Sequence, residues 1–295
     1  MNTLGQIAKS MLKRSPWLNM AYRLARENLN TLGTPRNTPL GFKFFGNAMM
    51  EQGIFEPQEV RIARKCLPYT DIFVNIGANS GYYCCIALQM NKPAIAFEPI
   101  DTNLQVLYKN IHANGWDTEI EVFPLALGNR SGLIEIFGGG TSASLIKGWA
   151  GTMEEHKRLV PISSLDRVLG DRLVGKHCFF VVDIEGVEKQ MLEGARKHLA
   201  MIPHPIWMVE ITVSEHQPRG IKLNPDLRET FQIFWDHGYE ARTADGQFRL
   251  VTADMVEQVA TSGVDSLLAH DFLFLDQNAW AQIFSSEIGI RQGGI

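Results

Sequence analysis

The chain has 295 residues, 45% of them hydrophobic and 20% charged, with a formal net charge of −4. These values fit a soluble globular protein and argue against a nucleic-acid surface, which is usually basic. No uninterrupted run of about 18 apolar residues occurs, which excludes a membrane-spanning helix on length.

The first thirty residues are basic: Lys9, Lys13, Arg14, Arg23 and Arg26 face only Glu27. Ile7, Met11, Leu12, Trp17, Leu18, Met20 and Leu24 recur at roughly helical spacing, and Pro16 divides the segment into two short helices. A helical cap packed on the domain is the favoured reading. A surface helix resting on anionic lipid or on a partner enzyme is the alternative. The basic residues interrupt the apolar stretch, which argues against a signal peptide. Residues 30–39, rich in Thr, Pro and Asn, read as a linker. The expected organisation is an extension over 1–45, a main domain over 46–277 and a tail over 278–295.

From residue 70 onward strand and helix patterns alternate. Strands are expected at 72–76, 94–97, 120–125, 133–137, 178–184 and 206–211. Helices are expected at 82–90, 102–113, 187–198 and 227–237. Late strands at 239–242, 248–251 and 271–275 supply an antiparallel edge. This alternation predicts a doubly wound, mostly parallel α/β sheet. Cys66, Cys84, Cys85 and Cys178 lack C-x-x-C spacing and read as reduced structural thiols, consistent with a cytoplasmic location. Attachment at the inner face of the membrane through residues 1–30 is the alternative.

The chemistry concentrates at strand ends. Val74-Asn75-Ile76-Gly77-Ala78-Asn79-Ser80-Gly81 is a strand, a tight turn and a helix start, and the next strand closes on Phe97-Glu98-Pro99. In open α/β sheets ligands bind at such carboxyl ends, and a carboxylate there can accept the hydroxyls of a ribose. The spacing is not G-x-G-x-x-G, because Asn79 stands where the dinucleotide fingerprint needs glycine. A turn without a pyrophosphate cradle favours S-adenosylmethionine over NAD, and makes a nicotinamide oxidoreductase the weaker reading.

Phe180-Val181-Val182-Asp183-Ile184-Glu185-Gly186 places two carboxylates at the end of a buried strand. They can accept a proton, hold an acceptor or bind a divalent ion, whereas helix capping accounts for one acid and not for two. Residues 138–157 form a glycine-rich segment that could close over an acceptor, with Trp149 stacking on a sugar face. His156 within it is a second candidate base, against the plainer reading of a solvated loop histidine. The histidines and cysteines show no zinc spacing, so no metal site is expected. Glu210, at the end of the strand over 206–211, is a further acid near the expected cleft.

Asn75-Ile-Gly-Ala-Asn-Ser-Gly81, Ala96-Phe-Glu-Pro99, Ala126-Leu-Gly128, Ser142-Ala-Ser-Leu145, Ser164-Leu-Asp166 and Asp183-Ile-Glu-Gly186 follow the order found in FkbM-type methyltransferases, as does Phe55-Glu-Pro57 upstream. The chain resembles that family from about residue 53 to residue 275. The resemblance implies a class I, Rossmann-like, S-adenosylmethionine-dependent fold. It also implies transfer to hydroxyl oxygens of sugars, glycans or secondary metabolites. Carried over by position, Gly77, Asn79 and Gly81 would surround the methionine part of the donor, and Glu98 would bind its ribose. Leu125 and Ala126 would lie near adenine, and Asp183 and Glu185 would face the methyl group and acceptor. Asn75 stands where the family often has Asp, which turns a charged contact to the donor's ammonium into a neutral one. Val181 stands where a lysine is common. An inactive homologue that binds the donor without turnover, and a lipid-linked or protein acceptor, are the competing readings.

Overall fold

Short runs of β-branched and aromatic residues, buried on both sides, build the centre of the protein. Such runs favour parallel strands covered by helices on each face. The structure is a computed structural model that describes residues 31–139, 143–152 and 155–288. The amphipathic segment expected over 1–30 lies outside the described residues.

The chain enters through a two-stranded ribbon, β1 (Arg36–Asn37) and β2 (Lys43–Phe44), and helices α1 (Ala48–Glu51) and α2 (Pro57–Cys66). The main sheet begins with β3 (Ile72–Ile76), α3 (Tyr82–Gln89), β4 (Ala94–Phe97), α4 (Asp101–Ala113) and β5 (Ile120–Phe123). A small sheet follows, of β6 (Ala126–Leu127), β7 (Gly132–Phe137) and β8 (Lys157–Ser163), and then α5 (Leu165–Leu169). The chain returns to the main sheet with β9 (Cys178–Val182), α6 (Glu188–Glu193), α7 (Arg196–Leu199), β10 (Ile206–Glu210) and α8 (Leu227–Asp236). It ends with β11 (Glu240–Thr243), β12 (Leu250–Val251), α9 (Ala253–Ser262), β13 (Asp271–Leu275) and α10 (Gln277–Ile288).

The main sheet has eight strands in the order β12-β11-β13-β10-β9-β3-β4-β5. The five from β10 to β5 are parallel, and β13 runs antiparallel to both β10 and β11. The expected doubly wound sheet with an antiparallel edge is therefore present. Successive strands move outward from β3 in one direction as β4 and β5, and in the other as β9 and β10. The junction of β3 and β9 is thus the topological switch point, where open α/β sheets bind ligands. One apolar cluster, including Phe73, Tyr82, Phe179 and Trp280, covers one face of the sheet. A second, including Phe180, Trp207, Phe231 and Phe274, covers the other.

Several expected boundaries move. Phe42 and Phe44, just after the expected linker, are buried in the first cluster. Asn110, fully buried on α4, fastens them: its side chain accepts from Phe45 N and donates to the Phe45 and Ser80 carbonyls at 2.8–2.9 Å. The strand at 132–137 leaves the main sheet and pairs with β8, which the sequence reading did not anticipate. The single helix expected over 187–198 is two, α6 and α7, because Gly194 lies against the Gly128 carbonyl. A Cβ there would sit 2.1 Å from that oxygen. The tail expected from 278 begins as α10, which buries Trp280, Ile283 and Phe284 in the first cluster. The Arg242 guanidinium lies 5.3 Å over the Trp280 ring, and Lys65 pairs with Glu287. Among the described residues no helix is long and apolar enough to cross a membrane. Trp280→Ala is expected to lower stability by about 3–5 kcal/mol, the usual cost of emptying a buried tryptophan site, measured by urea denaturation of the full chain.

Candidate active site

At the switch point three strand ends are tied together by the main chain. Gly77 N and Ala78 N both donate to the Phe97 carbonyl at 2.9 Å, and Asp183 N donates to the Ile76 carbonyl at 3.0 Å. Gly77 has φ +82°, and a Cβ on it would stand 1.8 Å from the Asp183 carbonyl oxygen. Only glycine allows the turn after β3 to approach the end of β9 so closely. Asn79 (φ +50°) continues the turn in a conformation that asparagine tolerates better than most residues.

Glu98, at the end of β4, is 4% exposed and held from three sides. Its Oε2 accepts from Asn79 N at 2.8 Å, and Oε1 accepts from Ile100 N at 2.8 Å and Asn103 Nδ2 at 3.2 Å. A carboxylate offers roughly four acceptor positions, so these bonds fix its orientation and leave Oε2 one position for a ligand. Burial outweighs the three bonds and pushes its pKa up to about 7.

A cleft opens in front of Glu98. Gly77, Asn79, Glu98, Asp183 and Glu185 form its polar side, and Leu125, Ala126, Ile136, Ala143 and Leu145 its apolar side. Among the described residues no lysine, arginine or histidine lines it. Asp183 is exposed at the end of β9. Glu185, 17% exposed and at φ +59°, accepts from Trp149 Nε1 at 2.6 Å on Oε2. Burial, with the Asp183 charge beside it, pushes the Glu185 pKa up to about 8.

Further acids stand around Asp183. Glu188, buried at the start of α6, accepts from Gly186 N at 2.9 Å, and burial pushes it up to about 7. Glu56, which accepts from the Tyr83 hydroxyl at 2.7 Å, is also raised by burial to about 7. Glu210, at the end of β10, is held well above the ordinary range by burial and then by the Asp183 charge and a hydrogen bond to it. Asp271, paired with Glu210 in the sheet, is raised by burial and by the nearby Glu56, Glu59 and Asp183. Among the described residues no group of acids, histidines or cysteines has the arrangement of a metal site.

Seven of the residues singled out in the sequence meet in this cleft: Gly77, Asn79, Glu98, Leu125, Ala126, Asp183 and Glu185. Three do not. Asn75 is buried within β3, where Nδ2 donates to the Val181 carbonyl at 3.4 Å and Oδ1 accepts from Cys84 Sγ at 3.6 Å. Its amide is satisfied inside the sheet and does not reach the cleft lining. Gly81 caps α3, with Leu107 packed against it. His156 lies just before β8, with Arg158 Nη2 3.4 Å from its Nε2, away from the cleft lining.

Trp149 is 1% exposed and bonded to Glu185, so it braces the carboxylate and has no open face for a sugar. Of the segment over 138–157, residues 140–142 and 153–154 lie outside the described residues. Ser164-Leu-Asp166 proves structural: Ser164 caps α5, and Asp166 accepts from Lys197 N and bonds His198 Nδ1 at 2.7 Å. Sequence reasoning missed Asn103 and Glu188. Asn103 was legible as a polar residue in the first turn of the helix that follows Glu98. Glu188 carried no signal that set it apart from the other acids of the sequence.

A carboxylic acid whose pKa is raised on folding binds its proton more tightly in the folded state, so its contribution is present at low pH and lost as pH rises through the folded value. Glu56, Glu98, Glu185 and Glu188 all lie above the ordinary 4.5, at about 7 to 8. Stability is therefore expected to fall between pH 5.5 and 8.5, as read from urea midpoints, and Glu98→Gln is expected to flatten part of that slope. A midpoint that rises across this window would refute protonated burial of these acids.

The Methyltransferase FkbM domain matches residues 75–241, more than half of the chain. A search of curated proteins finds no match. Among solved structures, the chain is similar to methyltransferase FkbM from Methylobacillus flagellatus KT at 17% identity and a TM-score of 0.42, over 70% of this chain and 43% of that one. It thus spans less than half the length of that protein. Precorrin-6y C5,15-methyltransferase from Geobacter metallireducens GS-15 is similar at 12% identity and a TM-score of 0.38, over 68% and 78% of the two chains. An O-methyltransferase family protein from Burkholderia thailandensis is similar at 10% identity and a TM-score of 0.37, over 78% and 58%. On the domain match, which contains the switch-point turn, Glu98 and the Asp183–Glu185 pair, this chain belongs to the FkbM methyltransferase family.

Proposed function

We propose that the chain is an S-adenosylmethionine-dependent O-methyltransferase acting on a hydroxyl of a sugar, glycan or secondary metabolite. The observation that carries this reading is Glu98: a buried carboxylate at the end of β4, fixed by Asn79, Ile100 and Asn103, with one acceptor position directed to no partner among the described residues. That is what a ribose needs from a protein. In this reading Gly77 and Asn79 border the methionine part of the donor, with Gly81 shaping the turn behind them. Leu125, Ala126, Ile136 and Leu145 offer the apolar surface for adenine.

The donor, when bound, supplies a positively charged sulfonium and an electrophilic methyl group. The charged residues lining the cleft are all acids, which complements such a cation and favours release of the uncharged thioether product. The same lining disfavours an acceptor with phosphate or carboxylate at its reacting end. Alignment supplies much of the acceleration, and a base near the acceptor hydroxyl adds about 10²–10⁴-fold. In this reading Asp183 or Glu185 takes that role. Val181 is buried within β9 and carries no ionisable group.

Isothermal titration of the full chain with S-adenosylmethionine tests the reading, beside Glu98→Ala and an NADH control. Saturable binding by wild type is expected, weakened about 10- to 100-fold in Glu98→Ala, the worth of a hydrogen-bonded charged group. Absence of binding by folded wild type would sink the donor assignment. Binding with no methylated product across hydroxylated acceptors would favour a homologue that holds the donor without turnover.

A further inference from the structure

His216 has no part in the family motifs, yet it stands beside the one cleft carboxylate that a buried tryptophan holds in place. Its Nδ1 lies 3.8 Å from Glu185 Oε2, the oxygen that also accepts from Trp149 Nε1 at 2.6 Å. The two rings flank that oxygen at a centroid distance of 6.1 Å in an edge-on arrangement. The contact is built from three separate segments. Ser144 Oγ donates to the Glu185 carbonyl at 2.6 Å, and Ala150 N donates to the His216 carbonyl at 2.7 Å.

Glu185, His216 and Ala150 all adopt left-handed φ, at +59°, +63° and +48°. Such conformations cost about 1–3 kcal/mol each and persist where surrounding contacts enforce them. Gly186 completes the fit: a Cβ there would lie 2.5 Å from the Trp149 ring. Exposure differs across the pair, 17% for the Glu185 side chain and 48% for His216. One end of the pair therefore borders the cleft and the other reaches water.

We propose that Glu185 and His216 form a carboxylate–imidazole couple that carries the acceptor's proton out of the cleft, with Trp149 positioning the carboxylate. The proposal rests on the methyl-transfer reading. As the acceptor oxygen bonds the methyl carbon, the donor's carbon–sulfur bond breaks with its electron pair going to sulfur. The O–H electrons stay on the acceptor oxygen, and the proton passes to Glu185 Oε2. The resulting carboxylic acid donates from Oε2 to His216 Nδ1, a distance closed by rotation of the half-exposed ring. The imidazolium then releases a proton from Nε2 to water, and both groups return to their starting charge. An imidazole is the side chain whose ordinary ionisation lies closest to neutrality, and burial raises Glu185 to about 8. The charged groups facing Glu185 are Asp183, Glu188 and Glu210, all acids, and His216 is the imidazole within reach among the described residues. Glu215 beside His216 lies 4.0 Å from His270.

The test is a 15N NMR titration of the imidazole resonances of the full chain between pH 5.5 and 9. The His216 signal is assigned by its loss in His216→Asn, a substitution that suits left-handed φ. A shared proton gives a two-step His216 curve, because interacting sites titrate as a pair. The upper step is expected to vanish in Glu185→Gln, leaving one step. It is expected to move to higher pH in Trp149→Phe, which removes a donor that stabilises the carboxylate. A single-step His216 curve unchanged in both variants overturns the couple; either variant decides alone if the other does not fold. S-adenosylhomocysteine binding, measured on the same samples, is expected to be equal in wild type and His216→Asn. Failure of wild type to bind it would count against the donor reading instead, and leave the titration as a separate result.

Discussion

The closeness of Gly77 to the Asp183 carbonyl is the constraint on which the rest of the site depends. The parallel ladder between β3 and β9 extends one residue past both strands through the Asp183 N–Ile76 O bond. The turn after β3 must then bend away without a side chain in its path. Because it does, its amides reach the Phe97 carbonyl and the Glu98 carboxylate. Three strand ends thereby share one small volume, and the acids that close them face one another across it. Any residue larger than glycine would push β9 from β3 and dissolve the cleft before it altered any ligand contact.

Gathering acids in this way opposes stability, since an unpaired buried carboxylate resists ionisation. The protein manages the cost in two ways. Glu98 and Glu188 turn their oxygens onto backbone amides, which satisfies them geometrically without a counter-ion. Glu185, Glu210 and Asp271 stand close enough to Asp183 that ionisation of one discourages the others. The result is a site whose charge is adjustable and of one sign.

Much of the fold was legible because burial on both faces makes parallel strands read as apolar runs, and because Glu98 and Asp183 interrupt such runs at their ends. The small sheet was not. Lys157-Arg-Leu-Val-Pro-Ile-Ser163 has the right alternation, but Pro161 lowers its strand character, and its partner β7 looked like a continuation of the main sheet. The last helix carried a clear signal in Trp280, Ile283 and Phe284, spaced for one helical face, and was passed over for its place at the end of the chain. Trp149 and His156 could not be sorted by sequence, since glycines around them leave the direction of the chain open. The inward turn of Trp149 is decided by Gly186, 37 residues away, which alone leaves room for its ring.

The small sheet enters the chain between two strands of the main sheet and pairs only with itself. Its core, Ala126, Ile136, Val160 and Ile162 with Ile100, is separate from the two clusters that hold the main sheet. Yet it supplies Ala126, Leu127 and Ile136 to the wall of the cleft. Shape and scaffold are thus inherited from different parts of the chain. Substitutions on this insert can recontour one wall while the strand ends, the glycine turn and the acids stay where they are. A fold divided in this manner lets selection, or an engineer, retune what enters the cleft without first having to re-stabilise the protein that surrounds it.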